Sequence, residues 1–136
     1  MIVADASVIA GLCLDGEQTV WAEKVFRLEP VWVAPVLWRS EVRNMLARYL
    51  NQGLMGLESA MVSWHMAEET IAGREYTVDS RKVLELAAQS KCPAYDCEYV
   101  ALAQDLGVPL VTTSQDILRA FPKTAVALEK FTKKKK

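Results

Sequence analysis

Short uninterrupted apolar runs alternate along the chain with longer stretches in which apolar positions recur every three or four residues. The first run, Met1 to Ala4 with β-branched Ile2 and Val3, ends at Asp5 and predicts a buried strand. From about Glu17 to Leu28, apolar Val20, Trp21, Val25 and Leu28 are separated by charges, the mark of an amphipathic helix stopped by Pro30. Val31 to Val33 predicts a second buried strand. Pro35 then opens a long helix through Leu37, Trp38, Val42, Met45, Leu46, Tyr49 and Leu50 that Gly53 closes.

The same spacing predicts a helix from Leu57 to about Ala72, ended by Gly73, and another capped by Asp79 or Ser80 and running through Val83, Leu84, Leu86 and Ala87. Tyr95 to Leu106 is helical again, Val108 to Thr112 is a third strand, Gln115 to Ala120 a short helix, and Val126 marks an edge strand. Buried strands separated by helices predict a mostly parallel sheet covered on both faces. At 136 residues, the chain suits one domain over residues 1–132, followed by a basic tail, 133–136, expected to be disordered.

Charge narrows the function. The chain carries 16 Lys and Arg against 17 Asp and Glu; setting aside the four terminal lysines leaves 12 against 17 and a body at −5. An acidic body does not coat nucleic acid by bulk charge, since that binding rests on neutralising many phosphates. Three cysteines in no close pair (Cys13, Cys92 and Cys97) and a single histidine, His65, argue against a disulfide framework and against a zinc site. Any metal would be a hard cation held by oxygen ligands. No apolar run spans a bilayer and no signal peptide opens the chain, so a cytoplasmic location without membrane is expected.

Three carboxylates stand where solvated ones do not belong. Asp5 ends the first strand, where open α/β sheets place their ligand crevice, although a turn or a helix cap shared with Ser7 explains it equally. Glu41 lies inside the apolar stripe of its own helix, three after Trp38 and four before Met45. A charge buried there must be neutralised, paired or bound to a cation. A salt bridge to Arg39, Arg43 or Arg48 is one solution, but Arg39 and Arg43, two residues either side, face elsewhere. Asp96 begins the helix after Pro93, as an N-cap or as part of a site. Beyond the third strand, Ser114 and Asp116 add a hydroxyl and a further acid. Carboxylates brought together from distant segments are what Mg²⁺ or Mn²⁺ requires to activate water against a phosphodiester.

Four segments, in this order and spacing, are Ile2-Val3-Ala4-Asp5-Ala6-Ser7, Ser40-Glu41-Val42-Arg43-Asn44, Tyr95-Asp96-Cys97-Glu98-Tyr99-Val100-Ala101-Leu102-Ala103 and Pro109-Leu110-Val111-Thr112-Thr113. Together they resemble the PIN-domain ribonucleases, and within them the VapC-type toxins of toxin–antitoxin pairs. The resemblance implies a PIN-like (Rossmann-like) three-layer α/β sandwich. It also implies Mg²⁺- or Mn²⁺-dependent cleavage of RNA at an acidic metal centre of Asp5, Glu41 and Asp96, a homodimer, and an antitoxin seated in a groove of the early helices. The family's frequent fourth acid is here Ser114, with Asp116 two residues on, so a second metal site is in doubt. Ser7 is a further accessory candidate, and Arg39 and Arg43 are candidates for RNA phosphates. The alternatives are a catalytically silent PIN-like module that binds protein or RNA, and a structure-specific DNA nuclease. The Met- and Trp-rich stretch Leu54 to Met66 reads as core or as a partner-facing helix, and His65 as uninvolved.

Overall fold

The structure is a computed structural model and describes residues 1–134. Five parallel strands form one sheet in the order β3-β2-β1-β4-β5: β1 (Ile2–Ala4), β2 (Trp32–Pro35), β3 (Glu75–Tyr76), β4 (Leu110–Thr112) and β5 (Ala125–Ala127). Central β1 is wholly buried and pairs with β2 through Ile2 and Val3 and with β4 through Val3 and Ala4. The chain builds to one side of β1 as far as β3, then crosses to the other for β4 and β5, so the topological switch lies at the end of β1. Ligands of open parallel sheets bind at that point.

Eight helices cover the sheet: α1 (Ala6–Cys13), α2 (Thr19–Leu28), α3 (Trp38–Asn51), α4 (Leu57–Ile71), α5 (Ser80–Ser90), α6 (Ala94–Leu106), α7 (Gln115–Ala120) and α8 (Leu128–Lys134). On one face α6 packs on β1, β2 and β4 with α5 behind it; on the other, α1 packs on β1 and β4, α4 on β2, and α8 on β4 and β5, with α2 and α3 outside them. This is the expected three-layer α/β sandwich. The core joins both layers through Trp32, Trp38, Ile71, Tyr99 and Leu110, each no more than 2% exposed. Among the described residues no helix is long and apolar enough to cross a membrane.

Three elements depart from the sequence reading. Pro35 ends β2 instead of opening α3, which starts at Trp38, because the strand continues far enough to pair Pro35 with Tyr76. Helix α1 follows β1 directly, its cap formed by Asp5 accepting from the Val8 amide. The tail does not begin at residue 133: α8 buries Leu128 and Phe131 and carries on through Lys133 to Lys134, while residues 135 and 136 lie outside the described residues.

Candidate acidic site at the end of the central strand

Asp5 leaves β1 at the switch point with its backbone N–H donating to the Val111 carbonyl at 3.3 Å, which fixes it to the adjoining strand. Its carboxylate is 6% exposed and is surrounded by donors. Ser7 Oγ and the Val8 N–H donate to Oδ1, and the Thr112 hydroxyl, from the end of β4, donates to Oδ2. A second tier holds these donors in place. Thr113 Oγ1 donates to Ser7 Oγ at 2.8 Å, and the Ser114 N–H donates to Thr112 Oγ1 at 3.0 Å. Burial pushes the Asp5 pKa up while the surrounding donors pull it down, and burial wins.

Glu41 arrives from the first turn of α3 and Asp96 from the first turn of α6, on opposite faces of the sheet. The Tyr99 hydroxyl, one helical turn after Asp96, donates to Glu41 Oε1 at 2.6 Å and so links the two helices over the end of the sheet. Tyr99 is 2% exposed, and burial beside Glu41 raises its own pKa. Burial raises the Glu41 pKa; the Tyr99 hydroxyl opposes the rise, and the charges of Asp5, Asp96 and Glu98 add to it. Asp96 is raised by burial and then by the charges of Asp5 and Asp116.

Asp5, Glu41 and Asp96 thus share one field, with Glu98 and Asp116 at its margins. Among the described residues none of the three forms an ion pair with Lys or Arg. Like charges gathered in a desolvated crevice without a counter-charge favour a proton or a cation. The donors are all oxygens, the chemistry that suits Mg²⁺ or Mn²⁺ and not zinc. Among the described residues, however, no three His, Cys, Asp or Glu side chains stand close enough to hold a metal ion as a ready-made set. Glu41 is turned to Tyr99, and three bare carboxylates repel one another.

The accessory candidates fall into different roles. Ser7 is part of the Asp5 network. Ser114 caps α7, its hydroxyl accepting from the Ile117 N–H at 3.3 Å. Asp116 is exposed and paired with Arg119, although its charge reaches Asp96. Arg39 is not a free cation for RNA. Its guanidinium makes two bonds to Glu75, at 2.8 and 2.7 Å, and one to Glu68, and lies over the Trp38 and Trp64 rings, which are themselves stacked. Arg43 remains exposed, over the Trp64 ring. His65 is exposed beside Glu68 and far in sequence from the acids.

Tyr99 and Thr112 are the residues of the candidate site that sequence reasoning passed over. Asp96 and Tyr99 stand three apart on one helix face, which is a usable signal for Tyr99. Thr112 has a weaker signal, as a hydroxyl at the carboxyl end of an otherwise apolar strand.

No family model matches the chain. Ribonuclease VapC3 of Pyrobaculum aerophilum is 28% identical over 127 residues, which cover 89% of this chain and 95% of the relative. Among solved structures, the crystal structure of PAE2754 from Pyrobaculum aerophilum superposes with a TM-score of 0.79 at 19% identity, covering 98% of this chain and 88% of that one. The structure of FitAB bound to the IR36 DNA fragment superposes with a TM-score of 0.72 at 16% identity, covering 95% and 96%.

Proposed function

Starting from a chain that is a PIN-domain protein of the VapC type, we propose that it is a Mg²⁺- or Mn²⁺-dependent endoribonuclease, acting as a toxin restrained by a cognate antitoxin. The observation that carries this reading is the shared, unbalanced field of Asp5, Glu41 and Asp96 at the switch point of the sheet. Asp5 and Asp96 would hold the cation and Glu41 would complete the site. When bound, the ion supplies Lewis acidity toward the phosphodiester and makes water a stronger nucleophile near neutral pH.

The chain's own residues supply position and proton handling. The Ser7, Val8 and Thr112 donors orient the Asp5 carboxyl and offset part of the cost of its burial. The Tyr99 hydroxyl fixes Glu41, so that one carboxylate oxygen is occupied and the other is open to orient the attacking water and accept its proton. Hydrolysis in this mode leaves 5′-phosphate and 3′-hydroxyl ends. Structured RNA incubated with Mg²⁺ should be cut and RNA incubated with EDTA should not; equal cutting in both overturns the metal mechanism.

The antitoxin is assigned to the apolar hollow between α3 and α4, lined by Leu46, Leu50, Leu57, Met61 and Trp64 with Arg43 at its edge. The chain is also proposed to pair with a second copy of itself, and a monomer by light scattering at micromolar concentration removes that part of the reading. A catalytically silent binding module is the second reading, favoured by the absence of a ready three-ligand set among the described residues and by the commitment of Ser114 to a helix cap. Calorimetric titration with Mn²⁺ separates the two: heat of binding supports the nuclease, and its absence the silent module.

A further inference from the structure

Next to the acids, between α1, the connection into α2 and the last turns of α3, is a hollow of about 220 Å³ whose lining includes Ser7, Gly11, Asp15, Gln18, Arg48 and Tyr49. Two features place it beside the acidic crevice. Ser7, which donates to Asp5 Oδ1, forms part of its wall. Arg48 and Tyr49 lie about two turns beyond Glu41 on α3, roughly 10 Å along the helix axis.

Gly11 sets one wall of the hollow. A Cβ added to Gly11 would stand 3.2 Å from the Gln18 Cβ, so glycine allows Gln18 to close against α1. Thr19 braces the connection that carries Gln18, its hydroxyl donating to the Leu14 carbonyl at 2.6 Å and accepting from the Gly16 N–H at 3.1 Å. The shape is therefore built before any ligand arrives.

Gln18 Oε1 is buried here and has no hydrogen-bond partner. Leaving a buried acceptor unmade costs free energy, so the position favours a ligand that brings a donor. The carboxylates of Asp15 and Glu17 add acceptors to the same lining, Tyr49 brings an aromatic ring, and Arg48 brings the one cation. An acceptor-rich hollow with an aromatic wall and an arginine matches a nucleobase that presents an amino group, stacks on the ring, and leaves its phosphate to the guanidinium.

We infer that this hollow receives one base of the RNA beside the cleaved bond and selects bases with an exocyclic amino group, cytosine over uracil and adenine over hypoxanthine. The inference rests on the nuclease reading and names its specificity site. Cytosine places an amino donor where uracil places an oxygen, and an oxygen turned toward Gln18 Oε1 meets repulsion instead of a bond.

The test sequences the ends produced from a mixed-sequence RNA pool with Mn²⁺. Wild type should favour cytosine over uracil by about tenfold at one fixed position next to the cut, the discrimination of a single good base-edge contact. Gln18→Leu should reduce the preference to less than about twofold, and Gln18→Glu, which keeps the acceptor, should retain it. Gln18→Met replaces the leucine variant if circular dichroism shows that one unfolded. A wild-type profile without this preference, or a preference that survives loss of the acceptor, overturns the pocket and leaves the nuclease standing. Should wild type cut nothing with either ion, the nuclease reading falls and binding decides: with EDTA present, short oligocytidine should bind about tenfold tighter than oligouridine and lose that margin in Gln18→Leu, whereas equal affinities refute the pocket on its own.

Discussion

Glu41 and Glu75 are glutamates in one small domain, and their proton affinities move in opposite directions. Glu75 lies against Arg39, whose bonds hold its carboxyl below the usual range, and the excess charge there is shared among Arg39, Glu68 and two stacked indole rings. Glu41 has a phenol for a partner and two aspartates for neighbours, and its carboxyl is held above the usual range. The Arg39 cluster pairs its carboxylates with a cation and fastens α3 to α4 and β3. The crevice leaves its charges unbalanced, and an unbalanced, desolvated set is poised to take up a cation. On the nuclease reading proposed above, the difference separates carboxylates that serve the fold from those that serve chemistry.

The largest expected effect comes from neutralising the unbalanced set. Asp5→Asn and Asp96→Asn should each lower RNA turnover by more than about 100-fold with circular dichroism unchanged, because each removes a ligand and also a repelling charge. Full activity in either variant would erase the distinction drawn above. Next, Mn²⁺ at saturating concentration should raise the wild-type Tm by about 5 °C or more and shift Asp96→Asn far less, read by scanning fluorimetry.

Tyr99→Phe sharpens the comparison by removing the hydrogen bond that the Tyr99 hydroxyl donates to Glu41. We expect about a tenfold loss of cleavage and about 1 kcal/mol of stability, from denaturant melts. The smallest effect belongs to the paired cluster. Arg39→Met should cost about 1 kcal/mol, since the pair is partly exposed, and should leave RNA affinity unchanged. Because the Glu75 pKa is lowered on folding, its stabilisation is complete above the ordinary value of 4.5 and is lost as pH falls through the folded value. Melts taken from about pH 6 down to about pH 3 should therefore decline less steeply in Arg39→Met than in wild type.

Much of this architecture was legible from periodicity. Helices α2 to α6 and strands β1, β2 and β4 each carry the spacing or the apolar run that their burial demands. Glu41 stood out for the same reason, as a carboxylate in the row of Trp38, Val42 and Met45. What escaped was local or distant. Strand β3 is two residues long, too short to show a period, and its residues are fixed by β2. Helix α1 is apolar on most sides because it is packed between the sheet and three helices, so no polar face marks it. The bond between Tyr99 and Glu41 joins residues 58 apart, and nothing in a single sequence encodes that distance. Arg39 could be read as a free cation only because its partners, Glu68 and Glu75, arrive 29 and 36 residues later.

The all-parallel sheet also sets a timetable for the chain's own synthesis. Central β1 emerges from the ribosome first but gains its second neighbour only when residues 110–112 appear, and the Thr112 hydroxyl that steadies Asp5 comes with them. Chains that end before β4 thus lack both the second neighbour of β1 and the hydroxyl that holds Asp5.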